Sequence, residues 1–289
     1  MATTEQTILE KLRQAREAYS SQEYDKAIEM YRWVSDQIKD DKTNLPIIYV
    51  ELGWSYYNAN DFKNCILYLK KALSGDTLTV QQRFDCLKLI GFSYKSSGDI
   101  SNSLQYLGRA VDEEIPESQK RYAYFEIGKI HFTSGAIHKS KPYLKKAEAY
   151  FTWNESMYFQ AISYYLGFVA YYEKQYQLAQ RYFSKIIEKI ANDKGKAAGY
   201  FGLAHLFYVE KNYAKLIEVC RKILKLDNDF YDKETIEFFL SKSFLELGQN
   251  SDFIKHFSNL RNKYPKGRYQ SHYPLFEKKL PRTQNSSSK

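Results

Sequence analysis

A small residue returns along the chain every 37 to 39 positions: Ala15, Gly53, Gly91, Gly128, Gly167, Ala204 and Ser241, with gaps of 38, 38, 37, 39, 37 and 37. A fixed period of this size constrains the fold more than any composition. It marks stacked units, each too small to bury its own apolar face. The neighbourhood recurs in phase. Nine residues after each small position stands Tyr24, Phe62, Ile100, Ile137, Tyr176, Tyr213 or Asn250. Twelve after stands Ala27, Cys65, Ser103, Ser140, Ala179, Leu216 or Phe253. Sixteen after stands Tyr31, Leu69, Leu107, Leu144, Phe183, Cys220 or Phe257. Nineteen after stands Val34, Ala72, Ala110, Ala147, Ile186, Ile223 or Leu260.

Each period reads as two helices joined by a turn at QE, ND, GD, GA, KQ, KN or GQ. The last three positions of each set are spaced i, i+4 and i+7, the buried face of an amphipathic second helix. Gly53 lies in the middle of the first helix of its unit, where glycine costs about 1 kcal/mol against alanine. Close crossing of the two helices offsets that cost. The expected contact is between the small residue of the first helix and the small residue of the second, as with Cys65, Ser103 and Ala179.

The motif positions resemble those of the tetratricopeptide repeat family. The second period gives Tyr49, Leu52-Gly53, Tyr56, Cys65, Leu69 and Ala72. The third gives Ile90-Gly91, Tyr94, Ser103, Leu107 and Ala110, the fifth Leu166-Gly167, Ala179 and Phe183, and the sixth Tyr200, Leu203-Ala204 and Phe207. The seventh is degenerate but ends at Pro265. The resemblance implies an all-α fold: a right-handed superhelical solenoid of about seven helix-turn-helix repeats near 8–41, 46–79, 84–117, 121–154, 160–193, 197–230 and 234–265. The solenoid would span 1–265, followed by a basic aromatic tail, 266–289, that is partly disordered at TQNSSSK. The family period is about 34 residues, so a few residues per unit are extra. They fall mostly after the second helix, which suggests second helices longer by a turn.

Composition narrows the function classes. The opening MATTEQTILEKLRQ lacks the apolar core of a signal peptide, and no apolar run approaches the roughly 20 residues that span a bilayer. Three unpatterned cysteines, Cys65, Cys86 and Cys220, fit a reducing compartment, so a cytoplasmic location is expected. No glycine-rich phosphate loop and no catalytic triad stand out. His131 and His138 are seven apart, not at the i, i+4 spacing of a helical zinc pair. The expectation is a non-enzymatic protein without metal or cofactor. The net charge is +9, and +8 of it lies from Lys255 onward.

The resemblance also implies that first helices line a concave face. Residues three before, one after and four or five after the small position share that face. They give a candidate partner-binding groove of Arg16, Trp54, Tyr57, Asn58, Lys88, Phe92, Lys95, Lys129, Phe132, Phe168, Tyr171, His205 and Tyr208. Aromatic anchors with interspersed lysines suit a protein or peptide with apolar anchors and acidic residues. The same rings could instead pack the first helices against one another. The family's carboxylate-clamp subtype is disfavoured, because Trp54 and Phe92 stand where it needs polar residues. The expected role is a protein–protein interaction adaptor or scaffold within a larger assembly. The alternative is a regulator that binds nucleic acid or an anionic surface through the tail. The tail itself has three open uses: capping the last repeat, docking on an acidic partner protein, or binding nucleic acid or an anionic membrane.

Overall fold

The computed structural model describes residues 4–280. Among the described residues there are fifteen α-helices, two short 3-10 turns and no strand. First helices are α1 (Thr4–Ser20), α3 (Leu45–Asn58), α5 (Val80–Ser96), α7 (Arg121–Thr133), α9 (Ser156–Tyr172), α11 (Asp193–Val209) and α13 (Lys233–Glu246). Second helices are α2 (Tyr24–Gln37), α4 (Phe62–Leu73), α6 (Ile100–Asp112), α8 (Ile137–Glu148), α10 (Tyr176–Lys189), α12 (Tyr213–Leu226) and α14 (Asn250–Lys263). A short α15 (Tyr273–Glu277) follows. The helices pack in consecutive pairs and form two compact units that divide after Tyr150, unit 1 with α1–α8 and unit 2 with α9–α15.

The periodic positions set the register of every hairpin. Each second helix begins nine residues after the small position, at Tyr24, Phe62, Ile100, Ile137, Tyr176, Tyr213 and Asn250. All the residues at twelve, sixteen and nineteen after are at most 1% exposed. The turn is equally regular. Seven residues after each small position the backbone is left-handed: Gln22, Asn60, Gly98, Gly135, Lys174, Lys211 and Gly248, with φ between 56° and 82°. Each first helix therefore ends in the same two-bond cap. In the second hairpin Asn60 N donates to Tyr57 O at 3.0 Å and Asp61 N to Tyr56 O at 2.9 Å. The next residue is the N-cap of the second helix, and Asp61, Asp99 and Asn212 accept a bond from its first turn.

The expected neighbour of the small residue is the small residue twelve positions on, but the atoms nearest a Cβ at Gly53, Gly91, Gly128 and Gly167 belong to a larger one. That larger residue stands sixteen positions on. A Cβ on Gly53 would lie 2.2 Å from Leu69 Cδ2, one on Gly91 2.6 Å from Leu107 Cγ, and one on Gly128 2.7 Å from Leu144 Cγ. Phe183 is lodged between two glycines, 2.5 Å from a Cβ at Gly167 and 2.2 Å from one at Gly202. The glycine makes room for a knob, and the close helix crossing follows from that. The longer period has a different source as well. Second helices are only 12 to 14 residues long, whereas α1, α5, α9 and α11 reach 17. The extra residues extend first helices and the connections between hairpins.

Unit 2 ends in a cap. After Pro265 the chain turns through a 3-10 turn at Gln270–His272 into α15. Phe276 is fully buried, edge-on to Phe253 at 5.7 Å and Phe257 at 5.3 Å, while the Tyr273 hydroxyl donates to Tyr264 O at 2.7 Å. Of the three uses open to the tail, residues 266–280 thus serve the first, covering the apolar edge of the last repeat. The expected disorder of TQNSSSK lies outside the described residues.

Candidate partner-binding face

In unit 1 the candidate residues come together on α1, α3, α5 and α7. Trp54, Tyr57, Asn58, Phe92 and Phe132 are half-buried and Arg16 is exposed. Trp54 and Tyr57 pack against the core cluster that runs from α1 to α5, and Phe92 packs against Leu107, Ala123, Ile127 and Ile130. Each keeps part of its surface accessible to solvent. Asn58 Nδ2 donates to Tyr19 Oη at 2.9 Å and to Trp54 O at 3.0 Å, which fixes the side chain across two repeats.

Three cations of this face, Arg16, Lys88 and Lys95, stand near acids. Lys88 Nζ lies 2.6 Å from Asp85 Oδ1 and over the rings of Phe84 (4.8 Å) and Trp54 (5.9 Å). Lys95 Nζ lies 2.6 Å from Glu126 Oε2, a bridge between the third and fourth hairpins. Arg16 reaches Glu51 at 4.0 Å, joining the first and second. Burial raises the Glu51 carboxyl above its usual range, and Arg16 acts against that rise. Lys129 Nζ sits 5.9 Å from the Phe125 ring. Sequence reasoning took the lysines and left out Glu51, Asp85 and Glu126. The signal was available, because Glu51 and Glu126 both stand two residues before the small position.

Unit 2 differs at one of the equivalent positions. Phe168 is 5% exposed, so it is an interior residue and not a lining one. It packs against Tyr164 (4.8 Å), Phe183 (5.1 Å), His205 (5.1 Å) and Phe201 (6.4 Å). His205 donates from Nδ1 to Phe201 O at 2.9 Å and lies between the rings of Phe201 and Phe239. Burial pushes its pKa down to about 4, so the ring is neutral at pH 7. Tyr171 is half-buried, 5.8 Å from His205, and desolvation pushes its hydroxyl up to about 12. Tyr208 stacks on Phe239 at 4.9 Å.

Two segments of the same chain close over this face. Tyr231, from the connection before α13, bonds its hydroxyl to that of Tyr164. Tyr269, from the C-terminal segment, stacks on Phe238 at 3.9 Å with 6° between the planes and meets Thr235 Oγ1 at 2.9 Å. Arg268 is held by Asp232 and, at 3.5 Å, by Glu234. Nothing in the periodicity could announce these covers, because both lie between or beyond the repeats.

Other chemistry is not assembled. Among the described residues no three His, Cys, Asp or Glu side chains gather as metal ligands. Cys65, Cys86 and Cys220 are free and buried, and burial raises all three thiols, Cys65 and Cys86 to about 12. No described helix is long and apolar enough to cross a membrane.

A family model described as the tetratricopeptide repeat matches residues 47–74, the second hairpin. No curated protein sequence matches the chain significantly. Among solved structures, the C-terminal part of a TPR repeat-containing protein from Cytophaga hutchinsonii is 17% identical, with a TM-score of 0.62 over 91% of this chain and 98% of that one. PilF of Pseudomonas aeruginosa is 14% identical, with a TM-score of 0.57 over 83% and 99%. A chain of the APC/C hetero-tetramer Cut9–Hcn1 is 18% identical, with a TM-score of 0.56 over 92% of this chain and 48% of that one. At these identities the likeness establishes the fold. The chain carries the tetratricopeptide repeat, by sequence at residues 47–74 and by fold in its consecutive helix pairs.

Proposed function

We propose that this chain, built of tetratricopeptide repeats, is a non-enzymatic adaptor or scaffold that holds a partner segment on the first-helix face of unit 1. One observation carries it. At the position after the small residue, Trp54 and Phe92 are half-buried, whereas Phe168 is 5% exposed among rings of its own unit. A row of partly exposed rings at successive repeats is costly to leave in water and is where binding energy concentrates. The partner segment has apolar anchors for Trp54, Tyr57, Phe92 and Phe132, and acidic residues that meet Arg16 and Lys129. Lys88 and Lys95 contribute less to an acidic partner, because Asp85 and Glu126 already neutralise them. The hetero-tetramer Cut9–Hcn1 is a solved case in which a chain of this fold sits in a multiprotein assembly. A cytoplasmic location fits three free, buried cysteines.

The test is a combined Trp54→Ala and Phe92→Ala variant of the full chain, used beside the parent in affinity capture from its native cells. Partners captured by the parent and lost by the variant, at an unchanged helical signal and melting temperature, support the proposal. Collapse of helicity means that the rings serve the core, and undiminished capture means that the partner binds elsewhere.

A further inference from the structure

The C-terminal segment alternates rings and cations in sequence, and the fold sorts them. Tyr269, Tyr273 and Phe276 turn inward onto Phe238, Phe257 and Phe253. Lys255, Lys263, Lys266, Lys278 and Lys279 stay exposed. None of these five lysines has an acidic partner among the described residues. Arg268 is committed to Asp232 and Glu234, whereas Arg261 is joined loosely to Glu277, at 3.5 Å and with both side chains nearly half exposed. Six cations therefore face solvent from α14 and the segment folded against it, and Asp252 and Glu277 are the acids that α14 and this segment carry. The negative end of the α14 dipole favours cations at Arg261 and Lys263 but neutralises only a fraction of one charge.

We infer that this basic end of unit 2 is a docking surface for an acidic polypeptide segment, separate from the ring-lined face of unit 1. Charge complementarity names the partner's sign, and the sorting names its class. Single-stranded nucleic acid is gripped by stacking its bases on aromatic platforms, and the rings of this segment are already used. A membrane surface needs apolar side chains that insert between lipids, and Leu275, 49% exposed, is the one large apolar residue offered by α15. What remains outward is charge on long, mobile lysine stems, which suits carboxylates in a polypeptide without fixed geometry. Lys88 and Lys95 of unit 1, by contrast, are already paired with Asp85 and Glu126.

The test uses the full chain and a fluorescein-labelled peptide of Asp, Glu and Gly, followed by anisotropy at several salt concentrations. The expected result is saturable binding that weakens with salt. It falls by about tenfold or more when Lys263, Lys266, Lys278 and Lys279 are all changed to Glu. It survives when the same four are changed to Arg, and it survives Trp54→Ala with Phe92→Ala. A control with Lys70→Glu and Lys71→Glu on α4 changes net charge elsewhere and leaves affinity within about threefold. Melting temperatures report that each variant is folded. The inference is overturned if the four-lysine reversal changes nothing or if the α4 control loses as much. It is overturned too if a single-stranded oligonucleotide of equal charge, or a phosphatidylserine vesicle, binds more tightly than the peptide.

Discussion

Two glycines inside second and first helices should respond to alanine with opposite signs. Gly128 lies in α7, where a Cβ would stand 2.7 Å from Leu144 Cγ, 2.9 Å from its Cδ2 and 3.1 Å from its backbone N. Carbon atoms in a core rest at about 3.5–4.0 Å, so the shortfall is large, and the nearby backbone nitrogen prevents Leu144 from simply swinging away. Leu144 is fully buried and has nowhere to go. Overpacking of this kind costs about 1–3 kcal/mol, and the gain in helix propensity returns about 1 kcal/mol. Gly128→Ala should therefore lower stability by about 1–2 kcal/mol. Gly108 lies in α6 and has nothing within 4 Å of its Cβ position. Gly108→Ala should raise stability by about 1 kcal/mol. Urea unfolding followed by far-UV circular dichroism measures both. Leu144→Ala alone should cost about 2–5 kcal/mol, and combined with Gly128→Ala it should cost less than the sum, because the clash is gone. If both glycine variants shift stability in the same direction, or the pair is additive, the knob-and-hole account of the small residue is wrong.

Further outcomes follow from the caps, the buried histidine and the C-terminal cover. Lys174→Gly and Lys211→Gly relieve side chains held at φ 61° and 56°, and each should stabilise by about 0.5–1 kcal/mol in the same unfolding assay. Ala136 is the N-cap of α8 without a side-chain bond, so Ala136→Asp should add about 1 kcal/mol. His205 titrates near 4 in the folded chain and near about 6.5 when unfolded. The stability it permits is whole above about pH 6.5 and is lost as the pH falls towards 4, because only the unfolded chain takes up the proton. The loss is on the order of 1–3 kcal/mol and should be flattened by His205→Phe, read from melting temperatures across that window. Phe276→Ala empties a fully buried site and should cost unit 2 about 3–5 kcal/mol, with faster amide exchange in α13 and α14 and little change in unit 1.

The hairpins were legible because their cause is periodic. Ala27, Leu69 and Ile223 are buried for the same geometric reason, and a repeated reason shows in sequence even where the residue types differ. The left-handed turn position was partly legible: Gly98, Gly135 and Gly248 announce it, whereas Gln22, Lys174 and Lys211 adopt it under the constraint of the helices on either side. The proposed partner-binding face was legible as a set of positions, and the burial of Phe168 was not. Phe168 and Trp54 occupy the same place in the repeat. What separates them is the packing around each: Phe168 is ringed by Tyr164, Phe183, Phe201 and His205, whereas Trp54 has Lys88 over its ring. The lysines of the face were counted without Asp85 and Glu126, which pair with Lys88 and Lys95. Helix length escaped for a simpler reason. The extra residues of each period can lengthen either helix, and apolar spacing fixes the phase of a helix better than its ends.

Oxidative footprinting of the full chain, free and bound to its captured partner, tests the central claim most directly. The proposed face predicts that Trp54, Tyr57, Phe92 and Phe132 react in the free chain and become protected in the complex, while Phe168 and Phe276 are slow in both. Protection confined to the second-helix surface, or a complex that leaves Trp54 and Phe92 as reactive as before, would contradict it.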